Sequence, residues 1–180
     1  MKMRRANKEI KNWDEIVDVI RRANTIRLGI NGTPFPYVVP LSFGFEEIDG
    51  IIYIYIHGAG EGYKHTLLKG NNNVCIEADI LHRFVQSEAK SGSILTADYE
   101  SVIGFGVAEL VFGDEAKKGL DLICSHCGYH DFECQIAALS HMKIYKITLQ
   151  SITGKRRFED IEDIKSYIAF SNSRQEKVEK

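Results

Sequence analysis

Apolar residues change their spacing twice along this chain. After Asn12, whose side chain can cap a helix, Ile16, Val17, Ile20 and Ala23 recur at helical period, and the spacing predicts a helix from Trp13 to Ala23. From Thr25 that period gives way to short apolar runs broken by turn residues. TIRLGI is followed by Asn31-Gly32, PYVVPLSFGF by Asp49-Gly50, and IIYIYIHG comes next. Both dipeptides tolerate positive φ and favour tight hairpins, so the three runs are expected to form an antiparallel meander.

GEGYKHTLLKG, with glycines at each end and Leu67 and Leu68 between them, suits a short helix across one end of a barrel. NNNVCIEADIL and DYESVIGFGVAELVF then read as strands. Gly104 and Gly106 lie within the second, where missing side chains mark a bend, a bulge or a close neighbour. A helical region is expected from Asp114 to about His126, and a last strand from Ala137 to Thr148, with MKIYKITL. Ile161, Ile164 and Ile168 then share one helical face ahead of the polar end SNSRQEKVEK, whose residues are expected to be mobile. Strands dominate without regular strand-helix alternation, so the fold class is mainly β with flanking helices. The expected organisation is one barrel domain over 1–158, then a C-terminal helix and tail over 159–180.

Composition narrows the class. The chain has 180 residues, 44% hydrophobic and 27% charged, which fits one water-soluble globular domain and excludes disordered, collagen-like and membrane-spanning classes. A formal net charge of -2 gives no general attraction to nucleic acid or anionic lipid. No apolar stretch of signal-peptide length follows MKMRRANKEI, so a cytoplasmic location is expected. The four cysteines do not resemble a disulfide framework and are expected to be reduced thiols. Cys124, His126, Cys127, His130 and Cys134 are metal-ligating types, but there is no second Cys-x-x-Cys. A helix there would turn the cysteine and histidine pairs in different directions, so no metal is expected.

RRANKEI, PYVVPLSFGF, IYIHGAGEGYK, VCIEAD, YESVIGFG and ITGKR follow one another in an order that resembles the pyridoxamine 5'-phosphate oxidase-like flavoproteins. Within them the chain is similar to the 5-nitroimidazole reductase (Nim) branch, over roughly residues 4 to 157. The resemblance implies a six-stranded antiparallel split β-barrel, a homodimer, and flavin mononucleotide (FMN) in each of two clefts between the copies. Val39, Pro40, Leu41 and Ser42 would then lie along the isoalloxazine ring. His57, Gly58 and Ala59 would pass beneath the ribityl chain, and Gly62 and Lys64 would meet the phosphate. Tyr99, Ser101 and Val102 would approach from a later strand, from the same copy or its partner.

FMN combines a charged phosphate, a polar ribityl chain and a flat apolar ring, so its site needs a cation, close backbone donors and a smooth wall. HGAGEGYK supplies glycines and Lys64 for the phosphate; its other reading is a glycine-rich hairpin with a solvated lysine. Pro40 removes a ladder donor, which places it at an interruption or an edge where backbone groups can meet a ligand, or at a plain bulge. His57 either exchanges protons beside the flavin, as the resemblance implies, or ends its strand with a turn hydrogen bond. Arg27, Lys155, Arg156 and Arg157 read as a solvated face or as help in holding an anion.

The function the resemblance implies is an FMN-dependent oxidoreductase that takes electrons from NAD(P)H or another donor and passes them to a small acceptor such as a nitroaromatic compound. The alternative is a non-catalytic flavin- or haem-binding module on the same barrel. Oxidation of pyridoxamine phosphate itself is disfavoured, because the chain has no arginine-rich C-terminal stretch to hold the substrate phosphate.

Overall fold

A computed structural model describes residues 3–87, 93–132 and 140–176, with side chains as far as residue 169. After a short strand β1 (Glu9–Ile10), helix α1 (Trp13–Arg22) starts at Asn12, whose side-chain oxygen accepts the Asp14 N–H at 2.9 Å. The strands β2 (Ile26–Ile30), β3 (Tyr37–Leu41), β4 (Phe43–Ile48) and β5 (Ile51–Ala59) precede helix α2 (Tyr63–Gly70). The long strands β6 (Asn73–Ser87) and β7 (Ile94–Val111) follow, then helix α3 (Gly113–His126), strand β8 (Met142–Arg156) and helix α4 (Ile161–Glu176).

The described strands form one sheet in the order β3-β2-β6-β7-β8-β5-β4, with β1 added against β8. β3 and β4 stand at opposite ends of this order yet are consecutive in the chain, separated only by Ser42. The sheet therefore curls into a barrel whose seam is crossed by the chain itself at Ser42. Among the described residues there are eight strands where six were expected. One addition is β1; the other arises because PYVVPLSFGF changes partner at Ser42, pairing first with β2 and then with β5.

That change of partner also corrects the expected meander: β2–β3 and β4–β5 are separate hairpins on the two sides of the seam. Asp49 and Gly50 turn the second hairpin with φ of 53° and 78°, as a two-residue primed turn requires. Asn31-Gly32 makes no such turn. β2 ends at Ile30 and β3 begins opposite it at Tyr37, since Pro34 and Pro36 lack the N–H groups a ladder needs.

The barrel interior holds the main core: Ile26 and Leu28 of β2, Ile54 and Ile56 of β5, Ile76 of β6 and Ile147 of β8, closed by Val19 and Ile20 of α1. On the outer face of β5 and β8, α3 packs Ala116, Leu120 and Ile123 against Tyr55 and Ile144. Ile164 of α4 docks on Val85 and Phe158. The expected irregularity in β7 is present: register with β8 shifts between Phe105 and Gly106, and a Cβ at Gly106 would collide with the Thr148 carbonyl. Helix α4 runs to Glu176, into the polar segment expected to be mobile. Among the described residues no helix is long and apolar enough to cross a membrane.

Candidate functional site

Alternation along β3 sorts its residues. Tyr37, Val39 and Leu41 pack toward the core, whereas Val38 and Pro40 face outward and are exposed. β3 pairs with β2 on one side and ends the sheet on the other, so Pro40 lies on an edge strand, as its missing donor requires. Pairing runs unbroken through Pro40, and the interruption comes two residues later at Ser42. Phe43 then pairs with Ile56, so Ser42 and His57 each lie one residue beyond that pair.

The end of β5 runs into the glycine turn. His57, Gly58 and Ala59 pair with Ile144, Lys143 and Met142 of β8. Gly62 has a φ of 129°, a conformation closed to side chains, and precedes the first turn of α2. Lys64 in that turn folds back, and its Nζ donates to the His57 carbonyl at 2.8 Å. The ammonium lies directly over Gly58, where a Cβ would stand 2.7 Å from it, so a side chain there would push the lysine aside. Burial lowers the Lys64 pKa, and burial together with the Lys64 charge lowers that of His57.

One aromatic contact fastens these segments together. The Tyr37 and Tyr63 rings meet edge to face with centroids 5.2 Å apart and planes at 83°, joining the start of the edge strand to the start of α2. Pro40, Ser42, His57, Gly58, Gly62 and Lys64 thus belong to one end of the barrel.

Sequence reasoning missed three residues beneath this end. His65, on the buried side of α2, meets the Tyr145 hydroxyl through Nδ1 and accepts from Lys143 Nζ through Nε2 at 2.6 Å. Since Lys143 has only donors, the network makes His65 neutral, with its proton on Nδ1 toward Tyr145. Burial, then the charges of Lys143 and Lys69, lowers the His65 pKa. The strand pattern MKIYKITL contains the signal, because Lys143 and Tyr145 alternate onto the face of Gly58 and Ile56.

Tyr99, Ser101 and Val102 are not brought to this end. Ser101 pairs with Lys155 while His57 pairs with Ile144, a separation of eleven positions along β8, about 35 Å of strand. The Val102 side chain is buried in the core. Ser101 lines a separate cleft of about 350 Å³ with Arg4, Arg5, Ile103, Thr153 and Lys155, and Lys155 Nζ lies 5.5 Å from the centroid of Tyr99.

Arg27 is exposed and paired with Glu77 at 2.8 Å and with Asp79. Arg156 pairs with Glu15, and the Arg157 guanidinium lies over the touching Phe158 and Tyr167 rings, 4.9 and 4.8 Å from their centroids. His126 turns inward, 4.2 Å from the Phe43 ring, and bonds the Ala23 carbonyl at 2.8 Å. Cys124 packs against the core under α3, while Cys127 is exposed where the helix ends, so His130 is not on its face. Cys134 lies outside the described residues.

A barrel seamed by its own chain, with a cationic glycine turn and helix start at the open end, defines a split-barrel protein. The pyridoxamine 5'-phosphate oxidase family model matches residues 12–156, and the chain belongs to that family. Among solved structures it is similar to a putative 5-nitroimidazole antibiotic resistance protein from Bacteroides thetaiotaomicron, at 29% identity over 82% of this chain and 85% of that one, TM-score 0.69. The flavocytochrome Anf3 from Azotobacter vinelandii shares the fold at 18% identity, covering 90% and 77% of the two chains with TM-score 0.70. So does a FAD- and haem-binding protein from Mycobacterium smegmatis, at 16% identity, 88% and 80% coverage and TM-score 0.65. No curated protein matches the chain.

Proposed function

We propose that the protein is a cytoplasmic homodimer that binds FMN between its two copies and passes electrons from a nicotinamide donor to a small acceptor, with nitroaromatic compounds the first class to try. The observation that carries this reading is the convergence of the Pro40 edge, the end of β5 and the Gly62-Lys64 turn at one end of the barrel. These residues suit the cofactor. Gly62 holds a positive φ that opens the turn, Lys64 lies over Gly58 and offers a cation to the phosphate, and Val38 and Pro40 present an apolar outer wall.

When bound, the flavin supplies the hydride and electron chemistry, and the protein binds, orients and excludes water. Lys64 has two N–H groups left after its bond to the His57 carbonyl, enough to hold phosphate oxygens while fixing the turn. His57 stands on the outer face and is exposed, placed to hand a proton to a reduced acceptor. The distance from this end to Tyr99 and Ser101 supports a second copy as the source of the opposite wall. Likeness to a putative nitroimidazole resistance protein supports the choice of acceptor.

Absorbance of the purified dimer, followed by anaerobic addition of NADH or NADPH and then of a nitroimidazole, tests the reading. The expected result is a flavin spectrum that bleaches with donor and returns with acceptor. A colourless protein that ignores added FMN overturns it, and a Soret band or an unbleachable flavin assigns the barrel to the non-catalytic module.

A further inference from the structure

Most lysines on this barrel that make a described polar contact meet a carboxylate: Lys118 pairs with Glu46, Lys146 with Glu115 and Lys165 with Glu162. Lys64 and Lys143 do not. Lys64 bonds a backbone carbonyl and Lys143 a neutral imidazole, and neither has an ion-pair partner among the described residues. Both are half-buried. A lysine withdrawn from water without a counter-ion is costly, so two on one small surface point to an anion that arrives from outside.

They do share one surface. Lys143 is the cross-strand partner of Gly58, so its side chain leaves the same face beside the residue over which the Lys64 ammonium lies. Each ammonium keeps two of its three N–H groups after its single protein bond. His65 is what aims the second one. Its ring is held by Tyr145 on Nδ1, and its Nε2 fixes the Lys143 ammonium at 2.6 Å. A carboxylate in that place would neutralise the lysine; a neutral imidazole holds it and leaves its charge for a ligand.

Resting on the flavin reading above, we infer that Lys143 is a second phosphate-binding cation, positioned by His65 and Tyr145, and that the Lys64–Lys143 pair selects a flavin with a terminal phosphate monoester. Such a group carries nearly two charges at neutral pH and accepts through three oxygens, which matches two ammoniums with four free N–H groups. Riboflavin has no phosphate, and each phosphorus of FAD carries a single charge. The order of affinity is therefore FMN, then FAD, then riboflavin.

The experiment titrates FMN, FAD and riboflavin into the flavin-stripped dimer and into its Lys143→Met, Lys143→Arg and His65→Gln variants, with thermal melts to establish that each is folded. Expected for Lys143→Met is a loss of FMN affinity of roughly ten- to a hundredfold with riboflavin affinity unchanged, because only a charged hydrogen bond to phosphate has gone. Lys143→Arg keeps the cation and recovers most of the FMN affinity. His65→Gln weakens FMN binding by a smaller factor and again spares riboflavin. If wild type prefers FMN but Lys143→Met lowers FMN and riboflavin together, or changes neither, the second cation is refuted while the flavin reading stands. If wild type binds no flavin, both fall.

Discussion

The Tyr37 and Tyr63 rings meet edge to face with centroids 5.2 Å apart, and this contact ties the free edge of the barrel to the helix that follows the glycine turn. Tyr63 is 53% exposed, so burial alone does not hold it there. A double-mutant cycle with Tyr37→Ala and Tyr63→Ala should show a coupling of about 0.5–1.5 kcal/mol in denaturant unfolding. Strictly additive losses would show that the rings are neighbours without fastening the two segments.

Packing of α3 makes a sharper prediction. A Cβ at Gly119 would stand 2.6 Å from Tyr55 Cδ1 and 3.0 Å from Ile144 Cγ2. Tyr55 cannot swing aside readily, because its hydroxyl contacts Glu46 at 2.7 Å and Glu115 at 2.6 Å. Alanine gains about 1 kcal/mol in helix propensity over glycine, but overpacking costs about 1–3 kcal/mol. Gly119→Ala should therefore lower the urea midpoint at unchanged m-value; a raised midpoint would mean that α3 is free to shift outward.

Local pattern made much of this fold legible. The Asn12 cap, the period of Ile16, Val17 and Ile20, the Asp49-Gly50 turn and the crowding at Gly106 are each written within a few residues. The seam was not, because Ser42 looks like any polar residue in a strand and only the long-range pairing of Phe43 with Ile56 reveals the change of partner. The Asn31-Gly32 turn failed because Pro34 and Pro36 overrule a dipeptide preference. Lys64 was legible through its glycines. Lys143 and His65 were not, since their meeting joins residues 78 apart in sequence.

His57 carries a catalytic prediction that rests on the proposed function. Burial and the Lys64 charge hold its pKa below the usual value, so it is neutral at pH 7 and its protonated form grows as pH falls. Acceptor reduction by wild type should rise toward lower pH, and His57→Ala should flatten that profile while lowering turnover on the order of a hundredfold. Flavin affinity should change little, because the group that holds Lys64 is the backbone carbonyl of residue 57. Equal turnover by the two proteins would leave His57 only its structural place at the strand end.

The neutral state of His65 links stability to pH, with a definite sign. Its folded pKa is depressed below the ordinary 6.5 by burial and by Lys143 and Lys69, while in the unfolded chain it titrates near that ordinary value. Below about pH 6.5 the unfolded chain takes up a proton that the folded protein refuses, so stability falls with pH until the depressed folded value is reached. The slope is at most about 1.4 kcal/mol per pH unit. His57 shifts in the same direction, so the wild-type profile alone cannot isolate His65. Comparison with His65→Gln does: urea midpoints from pH 7.5 to 5.5 should fall more steeply for wild type, and the gap between the two proteins should narrow as pH drops. Parallel profiles would mean that the buried imidazole accepts its proton in the folded state, with Lys143 moving away to let it.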